Sequence, residues 1–168
     1  DEAITTSFSA STPPSGVSSE VVRIGDVTEE TVDAADVEGK IAFTTGLPTP
    51  EPITLLEAAG AEAVVYQSSN PDHHNEEAIP DLPVVEITRK AGDWLLDRCD
   101  EGPVEATVTT EVTTELATLP CPVGRIAGTE SERYMVVGNH VDSWYEGITD
   151  NATAMAAASD PLLAASAR

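Results

Sequence analysis

The chain has 168 residues, with 30 Asp and Glu against 8 Lys and Arg and a formal charge of −22. That length suits one domain or a little more, with a real core, and the charge repels nucleic acid and anionic membrane alike, which removes DNA, RNA and lipid headgroups from the candidate partners. No uncharged apolar stretch reaches the ~18 residues of a membrane span, and no basic start precedes an apolar block, so the chain reads as soluble, with neither anchor nor leader.

Residues 1–20, rich in Ser and Thr and carrying Pro13-Pro14, are expected to run as an extended lead-in; the absence of an initiating Met suggests trimming or excision from a longer chain. From Val21 the pattern becomes strand-like. Val37-Glu38-Gly39-Lys40-Ile41-Ala42-Phe43 is a turn feeding a short strand, closed by Gly46 and the prolines at 48, 50 and 52. Ile53 to Ala59 is expected as a short helix, with Gly60 at the position of a left-handed cap. Ala63-Val64-Val65-Tyr66 follows as a buried strand, which makes a strand–helix–strand unit of parallel type.

Residues 68–81 have no period and read as loop. Val84-Val85-Glu86-Ile87 is a strand, Thr88 a helix cap, and Arg89 to Asp100 a helix expected to bury Ala91, Trp94 and Leu95 before Gly102 ends it. Val104, Ala106, Val108, Thr110 and Val112 alternate with polar residues, as in a half-buried strand. A change of texture then sets a boundary near Thr118–Pro122, because 24 acids and 5 bases precede residue 121 and only 6 and 3 follow it. Beyond it, Pro122 to Gly128 and Tyr134 to His140 read as two strands joined by a polar turn, and an Ala-rich helix follows Asp150.

The acidity is spread over every segment, lysine is nearly absent, and aromatics are only 4% of a chain whose apolar side chains are mostly Ala and Val. This composition resembles that of proteins from salt-in halophiles, and a compact body so charged is expected to need counterions. Cys99 and Cys121 are too few for a disulfide scaffold and lack metal-site spacing, so buried free thiols are expected.

The candidate chemistry lies in the second half. Strand ends of a parallel sheet are where ligand groups gather. His140 offers an imidazole nitrogen to a metal, Asp142 could orient that ring, and Asp150 could return a carboxylate from the helix start. The competing local reading makes Asp150 a plain helix cap. His73-His74 beside Asp72, Glu76 and Glu77 reads as a solvated loop, the sequon Asn151-Ala152-Thr153 as incidental, and Ser143 as unable to form a triad with its immediate neighbours.

His140-Val141-Asp142-Ser143-Trp144 through Gly147-Ile148-Thr149-Asp150-Asn151-Ala152 resembles the first metal-binding motif of the co-catalytic zinc exopeptidases, the aminopeptidase and glutamate carboxypeptidase II group. Upstream, Glu38-Gly39-Lys40-Ile41-Ala42-Phe43, Ala59-Gly60-Ala61-Glu62-Ala63-Val64-Val65-Tyr66 and Leu82-Pro83-Val84-Val85-Glu86-Ile87 are similar to the protease-associated (PA) domain of that group. The resemblance implies an α/β chain: a PA domain over 21–118, with short strands in a barrel-like sheet and two helices, then an incomplete strand–strand–helix start of a zinc exopeptidase domain over 119–168. It implies His140 as ligand of one zinc, Asp150 as the carboxylate bridging two, and Asp142 as the partner holding His140. The parent enzyme would act on peptides. Its Glu-Glu pair, later acidic ligand and last His have no counterpart here, and Glu146 precedes the bridging position, so the chain is expected to be a piece of a peptidase that holds zinc weakly at best and cleaves nothing. The Ser159-Asp160-Pro161 break also departs from the family's unbroken helix. The alternative is a non-catalytic module that binds a protein partner through its PA domain and carries a vestigial motif.

Overall fold

The computed structural model describes residues 3–46, 49–69, 82–121, 123–125, 127, 136–140, 151, 153 and 156. Two compact units divide the chain, residues 1–115 and 116–168.

The first unit is built on parallel strands linked by helices. Strand β1 spans Ala3–Thr5 and β2 spans Val17–Arg23. Helix α1 covers Glu29–Ala34 and leads to β3 at Ile41–Thr44; α2 covers Pro50–Ala58 and leads to β4 at Ala63–Gln67. Strand β5 is Val84–Ile87, α3 is Arg89–Glu101 and β6 is Glu105–Val108. The curled sheet runs in the order β1-β5-β4-β3-β2-β6. The four central strands β5, β4, β3 and β2 are mutually parallel, and β1 and β6 flank them antiparallel. All residues of β3 and β4 are buried, as expected of parallel strands covered on both faces.

Alternation along the strands divides the core in two. Ala42, Val64 and Val84 pack with Val32 of α1, Val37, and Ile53 and Leu56 of α2. Ile41, Phe43, Ala63, Val65 and Val85 point the other way and pack with Leu95 of α3 and Val108 of β6. Each fully buried Leu or Phe in these layers contributes about 1.5–3 kcal/mol relative to an exposed one.

Local chemistry sets the helix ends. Thr28 Oγ1 accepts from Thr31 N at 3.2 Å, and Thr31 Oγ1 accepts from Thr28 N at 2.9 Å, a reciprocal cap that starts α1. This third helix was not anticipated, because its six residues bury only Val32 and show no period. Helix α2 begins three residues before the expected Ile53. Pro50 occupies its first turn, where a missing N–H costs nothing, rather than closing the preceding strand. Gly60 ends α2 in the left-handed region, φ 84°, as expected. Thr88 caps α3 by accepting from Ala91 N at 3.3 Å.

Residues 1–20 do more than lead in. Strand β1 and the start of β2 lie within them, and the connection between the two strands clasps both margins of the sheet. On one side Ala10 N donates to Leu82 O at 3.1 Å and Val84 N to Ser9 Oγ at 2.9 Å. On the other, Thr12 N donates to Thr110 O at 3.1 Å, Thr110 Oγ1 to Ala10 O at 2.8 Å, and Val112 N to Ser11 Oγ at 2.9 Å. The clasp also holds Phe8 in the left-handed region, φ 62°, with its ring exposed.

Two expectations need correction. Trp94 is 56% exposed, not buried. Ala91, Gly92 and Leu95 form the inward stripe of α3, and at ~100° per residue Trp94 lies about 110° round the helix from the centre of that stripe. In the second unit, the described residues of 122–128 and 134–140 carry no strand. A strand exists only where a neighbour takes its N–H and C=O groups, and a Val-rich pattern does not supply that neighbour. Asn151, Thr153 and Ala156 are helical, in keeping with the helix expected after Asp150. Among the described residues no helix is long and apolar enough to cross a membrane.

Candidate functional site

His140 closes the exposed stretch 136–140. Its backbone carbonyl accepts a hydrogen bond from Asn151 Nδ2 at 3.0 Å. Asn151 is itself buried, at 7% exposure. The chain thus brings the carbonyl of one expected ligand residue to the residue that follows the other, Asp150. The sequence places Asn151 in a sequon and within the motif, with no role of its own. Buried and committed to His140, its amide is not available to a glycosyl donor in the folded chain. Asp142, Ser143, Glu146 and Asp150 lie outside the described residues, as do Asp72, His73, His74, Glu76 and Glu77. Among the described residues no three His, Cys, Asp or Glu side chains gather as a metal cluster.

The first unit places polar side chains at the C-terminal ends of its parallel strands. Thr44, Tyr66 and Glu86 stand side by side in register on β3, β4 and β5, all three nearly or wholly buried. Thr44 Oγ1 donates to Gly25 O at 2.6 Å and accepts from Gly46 N at 3.0 Å, so it ties two strand exits together. Glu86 is a carboxylate at 0% exposure. Sequence reasoning read it as an ordinary strand residue, although an acid inside an otherwise apolar parallel strand was a visible signal. At the same end, Gln67 Nε2 donates to Arg89 O at 2.8 Å and to Asp93 Oδ1 at 2.7 Å, fastening β4 to the start of α3.

Two groups in this unit show how its charges and thiols are handled. Lys40 Nζ lies 3.0 Å from Asp36 and 3.5 Å from Glu20. The hydrogen bond from Lys40 to Asp36, followed by the attraction of both carboxylates, holds its pKa above the usual value despite some desolvation. Cys99 is half-buried, and burial pushes its thiol up, with Arg23 opposing and Asp100 adding to the rise. Cys121, by contrast, is exposed rather than buried as expected.

No protein-family model and no curated protein matches the chain. Solved structures do. An aminopeptidase from Aneurinibacillus sp. strain AM-1 is similar at 24% identity and a TM-score of 0.52, over 65% of this chain and 27% of that one. BSAP, a zinc aminopeptidase from Bacillus subtilis, is similar at 25% identity and a TM-score of 0.53, over 64% of this chain and 26% of that one. The chain therefore has a fold related to part of the zinc aminopeptidases, and it spans about a quarter of the length of these two structures.

Proposed function

We propose that the chain is part of a zinc-dependent, aminopeptidase-like exopeptidase, with residues 21–118 as its PA domain and 119–168 as the start of its catalytic domain. The fold likeness to BSAP carries this reading, and the His140 to Ala152 motif supports it from the sequence. In this reading the PA domain gates access of peptide substrates or mediates protein contacts. The donor types suit zinc: His140 offers an imidazole, and by the motif resemblance Asp150 supplies a bridging carboxylate and Asp142 a carboxylate to hold the His140 ring. They are too few for catalysis, because a catalytic zinc takes three protein ligands and keeps a position for water. Zinc, when bound, polarises the scissile carbonyl and activates a water.

Calorimetric titration of the 168-residue chain with zinc tests this reading. Weak binding that disappears in His140→Ala, with no hydrolysis of amino-acyl anilides, is the expected result. Binding unaffected by His140→Ala would refute the ligand assignment, and metal-dependent turnover would refute the claim that the ligand set is incomplete. The high-salt reading has its own test: the thermal midpoint should rise from dilute buffer to molar KCl as salt screens the −22 charge. A flat response would overturn it.

A further inference from the structure

The outer face of α3 differs from the rest of the first unit in charge and in apolar content. The helix carries three bases, Arg89, Lys90 and Arg98, against four acids, whereas the other residues before 121 hold two bases and twenty acids. On this nearly neutral face Trp94 stands 56% exposed in a chain with only two tryptophans. Arg98 lies over its ring, 5.7 Å from the centroid, and pairs with Glu101 at 2.8 Å, which holds the ring ready for contact. Lys90 and Asp97, both exposed, make no ion pair or hydrogen bond among the described residues. We propose that this face is a homodimer interface, on which a second copy of the chain docks its own α3 antiparallel, Trp94 against the partner's Trp94 and Lys90 against the partner's Asp97.

The case is one of self-complementarity. At ~100° per residue, Lys90, Trp94 and Asp97 fall within about 60° of one another on the helix surface. Lys90 and Asp97 also lie equally far from the midpoint between residues 93 and 94. A two-fold axis through that midpoint therefore sets Lys90 of each copy level with the partner's Asp97, and at ~1.5 Å rise per residue it brings the two Trp94 side chains level within about 1.5 Å along the helix. Both unpaired charges gain partners, both rings leave water, and Arg98 stays with Glu101 at the rim. Trp and Arg at the centre of a face, rimmed by charge, is the composition of an association surface. The near neutrality of α3 also makes it the side on which two chains of charge −22 meet with least repulsion. One helix face of this length buries less than the ~1,200 Å² total of a standard interface, so the dimer is a weak, exchanging one. None of these residues belongs to the His140 motif, so the proposal stands without the metal assignment.

The test is sedimentation of the full 168-residue chain at up to about 1 mM protein, from dilute buffer to about 1 M KCl, where charge is screened over ~3 Å. Dimer should form in the salt and diminish towards dilute buffer, as the repulsion between the two acidic bodies returns. A chain that remains monomeric at the highest protein and salt overturns the proposal, and that is the result expected if some other protein or a further part of a longer polypeptide covers the face. Trp94→Ala should weaken association by at least about tenfold, and association unchanged by it would place the contact on another face and overturn the proposal. Lys90→Asp and Asp97→Lys, measured at the lowest salt that keeps the wild type dimeric, should each weaken association severalfold by setting like charges opposite one another, and the double variant should recover it. Failure of the double variant to recover overturns the antiparallel pairing. The substituted side chains are all exposed, so each variant should keep the wild-type circular dichroism spectrum.

Discussion

The apolar segments described in the two units have similar raw material and opposite outcomes. In residues 1–115, short Val- and Ile-rich segments become β3, β4 and β5, whose apolar side chains are almost wholly removed from water. Among the described residues of 116–168, comparable segments leave Leu116, Leu119, Val123, Val136 and Val137 between 58% and 106% exposed. The second unit also has the lower acid content, so charge repulsion does not explain the difference. Neighbours do. Each central strand of the first unit is paired on both sides, and helices pack against both faces of the sheet. An apolar pattern marks a side chain that gains by burial, and the gain is realised only when a second surface arrives.

Core truncation should separate the units most widely. Phe43→Ala removes a ring at 0% exposure from the layer beneath α3 and should cost about 3–5 kcal/mol in urea unfolding. Val136→Ala, at 79% exposure, should change stability by less than about 0.5 kcal/mol. A loss at Val136 approaching that at Phe43 would mean that the second unit is covered in solution.

The clasp should come next. Thr110→Val leaves Thr12 N and Ala10 O without their side-chain partner and should cost about 1–3 kcal/mol. Hydrogen exchange at Thr12 should quicken while the amides of β4 remain protected; a uniform quickening across the sheet would show that the clasp and the sheet open together.

Gly92→Ala probes the packing between α3 and β4. An added Cβ would meet Gln67 Cδ and Cγ, so the helix propensity gained, about 1 kcal/mol, should be outweighed by overpacking of about 1–3 kcal/mol. In a Gln67→Ala background the same change should become neutral or stabilising, and a cost that persists there would place the conflict elsewhere.

The smallest effect is chemical. Iodoacetamide at pH 8 should modify exposed Cys121 before half-buried Cys99, whose raised pKa leaves less thiolate. The gap should narrow as pH rises through the range where the Cys99 thiol ionises. Faster labelling of Cys99, read by peptide mass, would contradict the burial of its side chain.

Much of the first unit was legible because it is built from local signals that agree. Gly60 after an apolar helix, Thr88 before another, and the runs at 63–66 and 84–87 each specify their own conformation. Their βαβ order also restricts the topology. The motif around His140 rests on residue types at a spacing, and its Asp142 and Asp150 lie outside the described residues. Helix α1 was missed because it rests on a Thr28–Thr31 hydrogen-bond exchange rather than on a period. Trp94 was misplaced because one residue of rotation decides whether a helical side chain meets the sheet.

From the amino-acid sequence alone followed the acidity, the α/β class, the central strands and the caps at Gly60 and Thr88, since each depends on near neighbours in the chain. Only the tertiary structure decided that residues 9–12 bond both to Leu82 and Val84 and to Thr110 and Val112, the latter about 100 positions along the chain, that Glu86 is sealed beside Tyr66, and that Asn151 is spent on His140. Those contacts link residues whose local patterns carry no mark of one another, and the partner of a buried polar group is settled by which distant surface reaches it first in the folded chain.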